Sequence, residues 1–264
     1  MRLRRCDTGC VFWTSYPRDV VHVAGPDSLT FLHSQLSQDI RPLSIGESTW
    51  SFLLQPTGKV EVLLRVWRTD DSVYVLDTDA GFGGPMVARL NRFKIRVKAE
   101  ICDLPWTCIA LRGDGAANVT GLGGWGSLAS WGNGVDILGE SPSAPPAAEP
   151  GSTDQFLRAR IDAVWPAMGI EILSGETIPG ETGVVAVAVN FTKGCYPGQE
   201  LVERMDSRGA APPKSLQRVV VPDGTLVGDP YTIDGQSVGV VTSVSGTAAL
   251  AMVKRSAPGA PTPL

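Results

Sequence analysis

Apolar residues recur with two different periods along this chain, and the switches between them mark out its elements. Val20 to Val23 form a short apolar run that stops at Gly25-Pro26, after which Leu29, Leu32, Leu36 and Ile40 fall at helical spacing. That pattern predicts a strand followed by an amphipathic helix. Residues 48–79 carry three β-rich runs broken at Pro56-Thr57-Gly58 and Thr69-Asp70-Asp71, the punctuation of hairpins in an antiparallel sheet. Met86, Leu90 and Phe93 predict a second helix over 85–93, and "KIRVKAEICDL" and "WTCIALRG" return to strand. A helix packed on antiparallel strands is an α+β arrangement.

Further along, residues 139–152, "GESPSAPPAAEPGS", are rich in Pro, Ala and Ser and read as an exposed loop. "GAAPPK" at 209–214 breaks the chain again, short strands run on to about residue 254 and read as a small β-barrel, and the tail from 256 to 264 is expected to be disordered.

Composition narrows the class. The 264 residues are 43% hydrophobic and only 19% charged, which fits a folded globular body and not a disordered chain. No run approaches the 18 apolar residues of a membrane span, and the basic start has no apolar core for a signal peptide. Five cysteines, odd in number and scattered, do not form a secreted disulfide framework, so a reducing cytoplasm is expected. The net charge of −4 repels nucleic-acid phosphates, so no direct nucleic-acid partner is expected outside a local patch. One such patch exists: Arg89, Arg92, Lys94, Arg96 and Lys98 run without an intervening acid, as a solvated face also would.

Several motifs lead nowhere. "GLGGWG" at 121–126 matches the spacing of a dinucleotide fingerprint, but no amphipathic helix follows it, so it reads as a flexible glycine-rich loop. Two histidines, His22 and His33, give almost no material for a metal site or a nucleophile triad. Cys6 and Cys10, and Cys102 and Cys108, lack C-x-x-C spacing, so no metal site is expected.

Cys195 stands apart. It lies in "FTKGCYPGQELVERMDSRG", with Pro197 suited to the first position of a helix, Leu201, Val202 and Met205 on an apolar edge, and Arg204, Arg208 and Gly209 marking its end. A thiol just outside a helix N-terminus, with Lys193 two residues away, is placed to favour thiolate, while Glu200 and Glu203 oppose that effect. On these residues alone Cys195 and Lys193 are candidates for a catalytic pair beside a plain packing role, and what implies chemistry at Cys195 is the family resemblance of the same stretch.

The stretch "KGCYPGQE" resembles the K-G-C-Y-x-G-Q-E signature of the YgfZ-like folate-binding proteins, relatives of the glycine-cleavage T-protein aminomethyltransferase. "GPDSLTFLHSQLSQDI", "LLQPTGKV" and "FLRARIDAVWPAMGIEI" resemble other segments of that family, so the likeness covers most of residues 18–254. It implies a three-module ring of T-protein type: an N-terminal α+β module (1–48, continued by the folate-facing segment 153–208), a ferredoxin-like antiparallel module (49–138), the loop 139–152 and a C-terminal β-barrel (214–255). It also implies tetrahydrofolate or a one-carbon derivative as cofactor, held by Phe156, Asp162, Gln199, Glu200 and Arg204. The implied function is support of iron–sulfur cluster assembly or repair in client enzymes, including tRNA-modifying ones, with those clients and assembly factors as partners.

There are departures. Asp162 stands where the family has a Glu whose carboxylate faces the pterin, Arg18 occupies one of two aromatic slots, and Val164 replaces a turn glycine. The T-protein's paired acids are reduced to Glu61 alone in Gly58-Lys59-Val60-Glu61-Val62. A folate-dependent aminomethyltransferase or other one-carbon transferase is the second reading, and a regulatory folate-binding module without chemistry the third.

Overall fold

Residues 18–104 supply the first sheet, whose strands follow the alternation in the sequence closely. The computed structural model describes residues 11–127, 129–207 and 212–256. Strand β1 (Phe12–Ser15) is followed by β2 (Arg18–Ala24), α1 (Ser28–Gln35), β3 (Ser48–Leu54), β4 (Val60–Asp70), β5 (Val73–Asp79), α2 (Gly83–Phe93) and β6 (Glu100–Leu104). The sheet order is β3-β4-β5-β2-β6, all neighbours antiparallel. Phe31 and Leu32 of α1 and Met86 and Leu90 of α2 cover one face, over Val21, Leu53, Val62, Leu64 and Leu76.

The other face meets a second sheet. It is built from β1, β7 (Thr107–Arg112), β8 (Gly123–Ser127), β9 (Val135–Ser143) and β10 (Glu149–Pro150), in the order β10-β1-β7-β9-β8. Helix α3 (Thr153–Asp162) begins with a capping box in which Ser152 and Gln155 satisfy each other's backbone N–H groups. After α4 (Val185–Ala188) and α5 (Gln199–Ser207) come β11 (Lys214–Val220), β12 (Pro230–Ile233), β13 (Gln236–Ser245) and β14 (Ala248–Lys254), a third sheet ordered β11-β14-β13-β12. Ile161 of α3 packs into its Leu216, Ala248 and Leu250. No helix among the described residues is long and apolar enough to cross a membrane.

The α+β class is as expected, and several details are corrected. The expected division at 48/49 falls inside one sheet, because β2 pairs with β5 and so joins β3–β5. The first helix stops at Gln35; Leu36 and Ile40 are buried, but Leu36 is extended and Ser37 N–H donates to Phe52 O, so the chain turns to pair with β3. The second return to strand starts only at Glu100. The glycine-rich run holds a real strand: Gly124 lies so near β9 that a Cβ there would sit 2.9 Å from Ile137 Cγ2, which only glycine permits.

Residues 139–152 are not one loop, since β9 runs to Ser143 and β10 pairs with β1. Val164, where the resemblance implies a turn glycine, has a left-handed backbone with φ +52°, a conformation that costs a β-branched residue roughly 1–2 kcal/mol. Cys6, Cys10, Arg208, Gly209 and all but the first residue of the expected disordered tail lie outside the described residues.

Candidate functional site

The loop carrying Cys195 is fastened at both ends. Lys193 is 6% exposed, and its ammonium donates to the carbonyls of His33 (2.6 Å) and Leu36, the unsatisfied end of α1. It also stands 5.0 Å from the Tyr196 ring centroid. Burial lowers its pKa to about 8, against the pull of Asp39. At the other end Gly198, at φ +84°, lies against the Gln55 carbonyl and Gly58, and Gly58, at φ +85°, lies against Leu201. The two motifs "LLQPTGKV" and "KGCYPGQE" therefore meet backbone to backbone, where a side chain would clash.

Between these fastenings Cys195 is a free, exposed thiol. Pro197 sits in a turn two residues before α5 and is not its first residue, because Gln199 does the capping: its Oε1 accepts from Tyr196 N–H (3.3 Å) and its amide donates to Glu203. Tyr196 is buried, and burial with the Glu203 carboxylate pushes its phenol up to about 12. Glu200 and Arg204 are exposed. Among the described residues no three His, Cys, Asp or Glu side chains gather to hold a metal ion. Of the other described thiols, Cys102 is exposed with Sγ 3.8 Å from His22 Nδ1, and burial pushes the Cys108 thiol up.

Phe156 and Asp162 are not brought together. Six residues apart on α3, they lie about 120° apart around the helix axis. Phe156 points inward, with ring centroids 5.1 Å from both Tyr16 and Trp131. Asp162 points outward, 44% exposed, where its carboxylate takes Arg158 Nε (2.9 Å) and Arg218 Nη2 (2.8 Å). Burial alone would raise its pKa, but these two arginines hold it below the ordinary range.

Around Phe156 the structure assembles a buried network. Arg65 Nη1 and Arg112 Nη1 reach the two oxygens of Asp136 at 2.6 and 2.8 Å, while Arg18 Nε and Arg65 Nε hold Asp77 at 2.6 and 3.0 Å. Burial pushes both carboxyls up, yet Arg65 with Arg18, and Arg112 with Arg65, hold them below 3.8. Arg18 also pairs with Asp79 and stacks 4.8 Å over the Tyr16 ring. Four buried donors here make no hydrogen bond of normal geometry: Trp50 Nε1, Trp131 Nε1, and Arg112 Nε and Nη2. Arg112 stacks 3.8 Å over Trp131 and 5.7 Å from Phe156.

A cleft of about 520 Å³ opens between the β3–β4 turn and α2, lined among others by Gln55, Thr57, Glu61, Arg89, Arg92 and Phe93. The basic run thus splits: Arg89 is buried, Arg92 and Arg96 are exposed, and Lys94 donates to Ala99 O (2.8 Å).

No family model matches the chain. It is 25% identical over 246 residues to the mitochondrial iron–sulfur cluster assembly factor IBA57 homologue of Cryptococcus neoformans var. neoformans, across 78% of this chain and 65% of that protein. It is 24% identical over 227 residues to the tRNA-modifying protein YgfZ of Escherichia coli O157:H7, across 71% of this chain and 65% of that one. The chain therefore spans about two thirds of the length of these relatives. The crystal structure of the glycine cleavage system aminomethyltransferase T from Bartonella henselae aligns with a TM-score of 0.67 at 17% identity, across 94% of this chain and 79% of that one. Together these likenesses, all at low identity, support a YgfZ/GcvT-like family, and the structural one shows the fold.

Within this fold the motif loop is legible in the sequence, whereas the buried network was missed. The missed signal was a charge inside an apolar strand: Arg65 in "VEVLLRVW", Asp77 in "VYVLDTD" and Asp136 in "GVDIL". Such residues are buried only when paired.

Proposed function

We propose that this chain is a folate-binding protein that supports assembly or repair of iron–sulfur clusters in client enzymes, tRNA-modifying ones among them. The observation that carries the reading is Cys195, an exposed free thiol on a loop fixed by Lys193 and by the Gly58–Gly198 contact. A single fixed thiolate suits a ligand that completes the shell of a cluster held by a partner protein, because soft thiolates are the preferred ligands of iron–sulfur clusters. The cluster is cargo. Lys193 acts in this reading by holding the loop and not by deprotonating a substrate, since its ammonium is engaged by the α1 carbonyls.

The residues around Phe156 fit the folate. A reduced pterin is flat and carries acceptors at O4 and N1 beside its N–H donors, and unpartnered donors beside aromatic faces can meet those acceptors while the rings stack. Trp50, Trp131, Arg112 and Phe156 would hold it, whereas Asp162 is neutralised at the surface. Bound there, tetrahydrofolate or a derivative supplies a carrier for a one-carbon unit. We place the three sheets as modules of a T-protein-like ring, the last as a small barrel. Gln199, Glu200 and Arg204, beside the thiol, face the incoming client. The aminomethyltransferase reading is weaker: Glu61, the sole acid at the corresponding turn, stands 3.5 Å from Arg89 Nε and is not free to take a proton from an amine.

Cys195→Ser, nearly isosteric, tests the reading in a strain lacking this family. Client-enzyme activity should be lost while soluble level, thermal midpoint and folate affinity stay at wild-type values. Full complementation at equal expression would refute it.

A further inference from the structure

The cleft beside α2 has no part in that reading, yet it is chemically specific. Pro85, Ala88, Arg89, Arg92 and Phe93 fall at i, i+3, i+4, i+7 and i+8, so one whole face of α2 lines it while Met86 and Leu90 face the core. Arg89 is only 5% exposed, and its Nη2 donates to Leu54 O at 3.0 Å. Its Nε has no hydrogen-bond partner, because Glu61 Oε2 stands 3.5 Å away out of line. Arg92, one turn on, has no acidic partner among the described residues. A buried guanidinium whose Nε meets its one acid only as a long ion pair, with no hydrogen bond, is incompletely satisfied, and a carboxylate in line with it matches it best. Two guanidiniums against one acid leave the cleft positive in a chain of net charge −4.

We propose that this cleft binds the glutamyl tail of the folate, with successive carboxylates on Arg89 and Arg92. This rests on the folate reading above. Arginines at i and i+3 stand about 5–6 Å apart at their Cβ atoms, which suits carboxylates repeated along a flexible chain, and Pro56 and Phe93 give its methylenes an apolar wall. Trp50 at the folate seat and Leu54, whose carbonyl Arg89 grips, stand on the same face of β3, roughly 13 Å apart at 3.3 Å per residue. A pteroyl group followed by glutamyl units is longer than that.

Titration calorimetry with tetrahydropteroyl-monoglutamate and its γ-triglutamate, at low and high salt, tests the assignment. The triglutamate should bind roughly tenfold tighter to wild type, as one added charge-assisted contact would give. The gain should vanish in Arg92→Gln, an exposed site where folding is not at stake, and shrink as salt rises. Equal affinities in wild type, or a gain that survives in Arg92→Gln, would overturn the cleft while leaving the folate seat standing. If neither folate binds, it is the folate reading that fails. Free γ-triglutamate then decides: shifts at Thr57 and Phe93 that Arg92→Gln abolishes support a glutamyl site, and their absence overturns it. Equally tight binding of α-linked triglutamate would overturn the tail assignment in favour of an acidic polypeptide.

Discussion

Two arginine–aspartate assemblies flank helix α3, alike in chemistry and opposite in consequence. Inside, Arg18, Arg65 and Arg112 hold Asp77 and Asp136 in full burial; outside, Arg158 and Arg218 hold Asp162 at 44% exposure. Exposed pairs are worth about 0–1 kcal/mol, because water screens them and long side chains must be immobilised. Buried ones add little over an apolar replacement, but removing one partner costs about 3–5 kcal/mol by stranding the other charge. The carboxylate marked by family likeness is the exposed one, already paired with two arginines. The inner assembly leaves donors unpartnered beside aromatic rings, whereas the outer one is satisfied.

The comparison is broken most directly at Arg65. Arg65→Met should destabilise the protein by about 3–5 kcal/mol in urea titration, since Asp77 and Asp136 both lose a partner. A loss under about 1 kcal/mol would mean that the inner and outer assemblies are energetically the same. The pH dependence has a definite sign. Both carboxyls are held below their ordinary value of 3.8, so their contribution is in place above that pH and is lost as pH falls through the lower folded values. Arg65→Met should therefore flatten the acid limb of the stability curve.

The next effect sharpens the contrast from the motif loop, where a buried cation meets carbonyls and not carboxylates. Lys193→Met leaves the α1 carbonyls of His33 and Leu36 without their donor and should cost about 1–3 kcal/mol. The folded pKa of Lys193 is lowered from 10.5 to about 8, so between those values the unfolded chain binds more protons than the folded one. Stability should then rise with pH across that window in wild type, and Lys193→Met should lack the rise. Denaturation midpoints at pH 7, 9 and 10.5 measure it; equal slopes in the two proteins would show that the ammonium is not buried against α1.

What could be read from sequence tracks how local the cause is. Strands β2 to β5 and helix α2 were legible because their apolar periods and turn residues lie within one element. The Cys195 loop was legible because it is one continuous string. The extended turn at Leu36 was not, since its backbone partners Phe52 and Asn190 lie far along the chain. Nor was the inner network, whose members at 18, 65, 77, 112 and 136 meet only when two sheets stack. Helix α3 could have been found from its Ser152-x-x-Gln155 capping box. Its outward Asp162 could not, because the facing residue, Arg218, is set by how the third sheet packs.

The smallest effect gives the sharpest comparison. Asp162→Ala removes an exposed carboxylate and frees Arg158 and Arg218 into water, so the stability change should stay within about 1 kcal/mol. If the folate seat lies at Trp131 and Phe156, the same variant should bind reduced folate within about twofold of wild type, since the mutated group points away from the seat. Trp131→Phe keeps the aromatic face but deletes one unpartnered donor, and it should weaken folate by roughly tenfold, a hydrogen bond to an acceptor on the ring. Calorimetric titration of both variants beside wild type separates the two assemblies by function and not only by stability. A large affinity loss in Asp162→Ala with none in Trp131→Phe would reverse the comparison and move the folate to the outer face of α3.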